Sequence, residues 1–203
     1  MIACLDLEGV LLPEIWIKFA EKTGIDELKI TTRDIPDYSK LMQKRLHILK
    51  SHNLRINDIQ DVINTLEPLE GAKEFLAWLK SEFQVIILSD TFYEFSGPLM
   101  KQLEYPTLFC HQLVINDKGS IVDFQLRQED QKTKAVKALQ GLNFKVISAG
   151  DSYNDIGMLQ QADSGILFCP PESVVKEFPQ YPIANNYKDF QALLLSAKQK
   201  LLG

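Results

Sequence analysis

The chain has 203 residues, 45% of them hydrophobic and 24% charged, with a net charge of −5. This is the balance of an ordinary globular domain, and the acidic surplus argues against nucleic acid or an anionic membrane as partner, since those surfaces are met by basic proteins. No apolar run approaches the roughly 18 residues of a membrane span, and no basic segment precedes the first apolar run, so neither an anchor nor a signal peptide is expected.

Residues 2–7 (IACLDL) read as a short apolar strand that runs into two acids, Asp6 and Glu8. Pro13 and Gly24 bracket a helix over 14–24. A second helix is predicted over 38–53, with Leu41, Met42, Ile48 and Leu49 on one face, and a third over 57–66 with Asn57 or Asp58 as its cap. Residues 71–83 give a fourth, with Phe75, Leu76, Leu79 and Phe83 at helical spacing. The runs VIILS (85–89), VISAG (146–150) and GILF (165–168) read as strands buried on both faces, the mark of a parallel sheet. LVINDKGSIVDFQL (113–126) reads as a hairpin turning at Asp117-Lys118-Gly119. Residues 132–142 form a helix with Gly141 as its stop. Strand–helix alternation predicts an α/β fold.

Cys4, Cys110 and Cys169 are odd in number and widely spaced, as expected of free thiols in a reducing cytoplasm. His47, His52 and His111 form no metal-binding or triad pattern and read as surface or helix-face residues.

The apolar runs end alike. The first ends in Asp6-x-Glu8, the second in Ser89-Asp90-Thr91, the third in Gly150-Asp151, followed by Asn154 and Asp155. In an open parallel sheet the carboxyl ends of the strands share one edge, where ligands bind. Clustered carboxylates without His or Cys suit a hard divalent ion, Mg²⁺ first, and Mg²⁺ held by few carboxylates bridges to phosphate. Hydroxyl and backbone N–H groups at such strand ends bind phosphate oxygens. Lys132 and Lys134 compete to balance the charge. The residues therefore point to Mg²⁺-assisted phosphoryl transfer.

In order and spacing, DLEGV, LSD, a lysine opening a helix and GDSYND resemble the four motifs of the haloacid dehalogenase-like phosphatases. The chain is most similar to their phosphoserine phosphatase branch. Within that branch, ACLDLEGVLLPEIW and ILSDTFYEFS resemble the bifunctional phosphoserine phosphatase/homoserine phosphotransferase type. The resemblance implies a three-layer Rossmann-like parallel sheet formed by residues 1–12 and 71–203, with residues 13–70 as an inserted helical cap. It implies Asp6 as nucleophile, phosphorylated in turn, and Glu8 as general acid and then base. Mg²⁺ would be held by Asp6, Asp151 and the backbone carbonyl of Glu8, with Asp155 in support. Ser89, the N–H groups of Asp90 and Thr91, and Lys132 would bind phosphate, with Lys132 taken over Lys134 on family position; Asn154 would bind the phosphate or a nearby side chain, and the Asp90 carboxylate would meet a substrate amine or cap a helix. Two features depart from the family: Glu8 stands where a second Asp is usual, and Asp-Thr follows Ser89 where the branch has Gly-Gly.

In the proposed cap, Arg45 lies on the apolar stripe of its helix and suits a substrate carboxylate, or a salt bridge to another side chain. Glu14 matches the contact to the substrate amine, or serves as a first-turn helix acid. The expected substrate is O-phospho-L-serine, with water or homoserine as acceptor, and the expected roles are serine and threonine biosynthesis. The sequence does not fix the oligomeric state; a homodimer is the one form considered. Competing readings are a phosphatase of a sugar or nucleotide ester, a phospho-accepting signalling domain, and a non-catalytic phosphate-binding module.

Overall fold

A computed structural model describes residues 1–32, 34–35 and 37–203. Its centre is a seven-stranded sheet: β1 (Ile2–Leu5), β2 (Gln84–Phe92), β3 (Thr107–Ile115), β4 (Ile121–Gln125), β5 (Val146–Gly150), β6 (Ser164–Phe168) and β7 (Ile183–Ala184). The order is β4-β3-β2-β1-β5-β6-β7. Only β3 and β4, the expected hairpin, pair antiparallel; the other neighbours are parallel.

The apolar runs are continuous because both faces of the sheet are covered. Within β1, Ala3 and Leu5 belong to one hydrophobic cluster and Ile2 and Cys4 to another. The first cluster packs under α4 (Ala72–Glu82) and α9 (Tyr187–Leu202), where Phe75 stacks on both Tyr187 and Phe190 at 4.8 Å between ring centroids. The second packs under α6 (Gln131–Gly141) and α7 (Ile156–Gln161) through Ala135, Val136 and Met158. The result is a three-layer α/β arrangement.

Between β1 and α4 lie α1 (Ile15–Thr23), α2 (Tyr38–Ser51) and α3 (Ile56–Ile63). Gly24 ends α1 in the left-handed region at φ 71°. The apolar faces of these helices, among them Phe19, Met42, Leu49, Ile59 and Ile63, join the larger cluster.

The caps differ from expectation in two places. Arg55 rather than Asn57 or Asp58 is the N-cap of α3, and the Asp58 carboxylate accepts its backbone N–H at 2.6 Å. Gly141 is the last residue of α6, and the chain turns at Asn143, φ 65°. The sequence patterns did not mark α5 (Tyr93–Gln102), α7, α8 (Glu172–Glu177), α9, β7 or the first half of β3. Gly97 and Pro98 lie inside α5, and both residue types normally argue against a helix. No helix among the described residues is long and apolar enough to cross a membrane.

Candidate active site

Parallel strands bring their carboxyl ends to one edge. There Asp6, Glu8, Ser89, Asp90, Thr91 and Asn154 line a cleft together with Glu14 and Arg45 from the helical insertion. Lys132, on the first turn of α6, is buried beside it. Its ammonium lies 2.9 Å from Asp6 Oδ1, 2.7 Å from Asp155 Oδ1 and 3.6 Å from Asp90 Oδ2. Lys134 points to solvent, so of the two competing lysines only Lys132 reaches the acids.

Asp6, Asp151 and Asp155 each offer a carboxylate oxygen within 4.8 Å of the others. The three are not equivalent. Asp155 is fully buried; its Oδ1 faces Lys132 and its Oδ2 accepts the N–H groups of Asp151 and Ser152 at 3.0 and 3.1 Å. It positions the lysine and the loop after β5. At Asp6 the lysine and the N–H of Leu7 both meet Oδ1, which turns Oδ2 to other ligands. Two glycines make this packing possible. A Cβ on Gly150 would lie 2.2 Å from the Asp155 carboxyl carbon, and one on Gly9, whose φ is +79°, would lie 2.6 Å from that of Asp151. The all-oxygen donor set fits a hard divalent cation held by Asp6 and Asp151.

The charges follow from this crowding. Burial, then the charge of Asp155, pushes Asp6 well above the usual carboxylate range, with Lys132 pulling the other way. A bound cation would reverse that balance. Glu8 is pushed up to about 8, first by burial and then by the charge of Glu14. Its Oε2 accepts the N–H of Ile15 at 2.9 Å, so it caps α1 from a distance. Asp90 behaves oppositely: burial pushes it up, but Lys132 and hydrogen bonds from His111, Asn154 and Gln131 outweigh this and hold it below the usual range.

Arg45 is 6% exposed. Its guanidinium lies 4.5 Å from the Trp16 ring centroid and donates to the carbonyl of Ile30 at 2.7 Å. Among the described residues no carboxylate forms a salt bridge with it, and Nε has no hydrogen-bond partner. Among the described residues the alternative reading, a salt bridge to another side chain, finds no partner. Glu14 stands at the N-cap of α1 without a capping hydrogen bond from its side chain, so the helix-acid alternative gains no support from capping.

His111 corrects the sequence expectation. It is buried on β3, not on a surface or a helix face. Its Nδ1 accepts the N–H of Arg127 at 3.2 Å, which leaves Nε2 to face Asp90 Oδ1 at 3.5 Å. Gln131 and Tyr38 also join the site unannounced. Nothing in the hydrophobic periodicity separates these residues from ordinary core or helix-start positions; the one signal was the nearness of Gln131 to Lys132.

Comparison with known proteins agrees with this geometry. Residues 2–163 match the haloacid dehalogenase-like hydrolase family. The chain belongs to that family. It is 61% identical to phosphoserine phosphatase ThrH of Pseudomonas aeruginosa, covering 100% of this chain and 98% of the relative. It is 57% identical to a phosphoserine phosphatase of Pseudomonas syringae pv. tomato, covering 99% and 85%. Among solved structures, a substrate-bound phosphoserine phosphatase complex shares the fold with a TM-score of 0.78 at 21% identity, covering 96% of this chain and 97% of the other.

Proposed function

We propose that this haloacid dehalogenase-like hydrolase is a Mg²⁺-dependent phosphatase of O-phospho-L-serine, with homoserine as a second phosphoryl acceptor. The observation that carries the proposal is one cleft with two chemistries: acids around a buried lysine in the core, and in the helical insertion a buried guanidinium without an ion pair among the described residues. The name borne by the P. aeruginosa relative supports the substrate class.

Mg²⁺ would be held by Asp6, Asp151 and the Glu8 carbonyl, and would neutralise charge on the phosphoryl oxygens. In the first step an Asp6 carboxylate oxygen attacks phosphorus and the bond from phosphorus to the serine oxygen breaks. Glu8 gives its proton to that oxygen, a task suited to a carboxyl that holds its proton near neutrality. In the second step Glu8 takes a proton from water, the water oxygen attacks phosphorus, and the bond to Asp6 breaks. Homoserine in place of water gives phosphohomoserine by the same bond changes. Lys132, Ser89 and the N–H groups of Asp90 and Thr91 meet the phosphate oxygens, with Asn154 beside them.

Arg45 would take the substrate carboxylate with both arms of its fork, and Glu14 the ammonium. Residues 13–70 would then act as a cap whose closure excludes bulk water, over a core formed by residues 1–12 and 71–203. A cytoplasmic role in serine and threonine biosynthesis follows from this substrate and acceptor.

The deciding experiment is ³¹P NMR of phosphoserine with protein and Mg²⁺, with and without homoserine. Phosphate alone means a hydrolase, and phosphohomoserine a transferase as well. Absence of both products, or undiminished turnover by Asp6→Asn, would sink the proposal. Arg45→Met should raise KM for phosphoserine at least tenfold while sparing turnover of a phosphate ester that lacks a carboxylate. Equal loss on both esters would point instead to the sugar or nucleotide class.

A further inference from the structure

β2 leaves its ladder where the phosphate chemistry begins. Leu88 pairs with Phe109 of β3, but the next pair is Phe92 with His111, so Ser89, Asp90 and Thr91 bulge out of register. Carbonyls released from a ladder need partners elsewhere. Two side chains from distant elements supply them. Gln131 Nε2 donates to the Ser89 carbonyl at 2.5 Å, and the Tyr38 hydroxyl donates to the Asp90 carbonyl.

A trans peptide unit points its C=O and its following N–H in opposite directions. A bond that fixes the Ser89 carbonyl therefore aims the N–H of Asp90. One that fixes the Asp90 carbonyl aims the N–H of Thr91. That second N–H donates to Ser89 Oγ at 3.2 Å, so the amide and the hydroxyl are held together at the mouth of the bulge. The Gln131 amide is itself oriented, because its Oε1 accepts from Arg127 Nε at 3.2 Å. Burial and the charge of Asp90 hold the Tyr38 phenol well above its ordinary pKa, so its proton is available to donate.

We infer that Tyr38 and Gln131 are positioning residues that aim the two backbone N–H groups of a phosphate cradle, and that Tyr38 ties the aim of the second to the docking of α2. Such anchoring supplies rigidity at Asp-Thr, where the resembled branch carries Gly-Gly. The inference rests on the phosphoryl-transfer reading above.

The test compares the wild-type protein with Tyr38→Phe and Gln131→Met in the presence of Mg²⁺. Calorimetric binding of inorganic phosphate should weaken about five- to tenfold in each variant, as expected for a lost aiming hydrogen bond. The kcat for phosphoserine should fall by a similar factor. Product inhibition by L-serine should not change, since Arg45 and Glu14 are untouched; a merely loosened fold would weaken both inhibitors together. Phosphate affinity within twofold of wild type in Tyr38→Phe, equal weakening of serine and phosphate, or no phosphate binding by the wild-type protein would each overturn the inference. Should Gln131→Met fail to fold, Tyr38→Phe decides alone. If the wild-type protein binds phosphate, loses that affinity in the variants, yet leaves phosphoserine intact, the substrate reading falls and the cradle stands.

Discussion

Lys132→Met removes the ammonium from between Asp6, Asp90 and Asp155 while keeping an unbranched side chain of similar length. The lysine is 3% exposed and lies 2.9 Å from Asp6 and 2.7 Å from Asp155. Its pKa is held well above the ordinary lysine value by those acids, against the opposing effect of burial. A raised lysine pKa contributes stability that is fully present below the unfolded value, about 10.4, and is lost only as pH rises through the folded one, so at pH 7 the whole contribution is in force. Removing one partner of a buried ion pair costs about 3–5 kcal/mol, because the remaining charge is left uncompensated. The lower end applies here. Asp155 keeps the N–H groups of Asp151 and Ser152, and Asp90 keeps His111, Gln131 and Asn154. About 3 kcal/mol in a chain of this size lowers Tm by roughly 6–12 °C. Urea unfolding in Mg²⁺-free buffer at pH 7 measures the loss directly. The double variant Lys132→Met/Asp155→Asn should lose less than the sum of the singles, since the amide oxygen still accepts the two N–H groups without a charge. A loss under about 1 kcal/mol for Lys132→Met, or strict additivity, would refute the reasoning.

Asp90 tests the acid side. Its carboxyl is held below the usual range in the fold. Its stabilisation is therefore present above the unfolded pKa, about 3.9, and is lost as pH falls below that value toward the folded one. Between pH 5 and 2 the stability of wild type should fall more steeply than that of Asp90→Asn; parallel curves would count against the network. Mg²⁺ at ten times its dissociation constant should stabilise the protein by about 1.4 kcal/mol. Gly9→Ala should abolish that increment, since a methyl there would lie 2.6 Å from the Asp151 carboxyl carbon on a backbone at φ +79°; thermal melts with and without the ion read both. Phe75→Ala, which empties the stack against Tyr187 and Phe190, should cost about 3–5 kcal/mol by denaturant titration with turnover per folded molecule unchanged.

The features legible in the sequence are those that repeat or that stand at fixed offsets. The short apolar runs announced β1, β2, β5 and β6 because strands buried on both faces carry no polar alternation. The acids at their ends announced the site because parallel strands end on one edge. Hidden from view was whatever depends on tertiary partners. α5 forms despite Pro98 because its apolar face, with Phe95 and Leu99, packs into the core, and packing outweighs propensity. β3 was half seen because only its second half pairs with β4 in the hairpin, while Thr107–Phe109 pair with β2. His111, Tyr38 and Gln131 enter the site through polar contacts between elements distant in the chain, which leave no period in it.

The charge balance of the cleft favours an order of events. Asp6, Asp90 and Asp155 gather around Lys132, with Asp151 beside Asp6 and Asp155. A phosphate dianion brought to that cluster alone would meet net negative charge in a buried, weakly screened setting. On the proposed function, a divalent ion bound first or with the substrate would offset this charge and draw in the phosphoryl group. The opposite end of the cleft needs no ion. Arg45 is already buried and oriented by Trp16 and the Ile30 carbonyl, and among the described residues no carboxylate forms a salt bridge with it. The proposed function then makes amino-acid recognition and phosphoryl chemistry separable: a serine-like ligand should bind without Mg²⁺, and inorganic phosphate should not. Calorimetry with each ligand in chelator tests the division, and tight phosphate binding without the ion would contradict it.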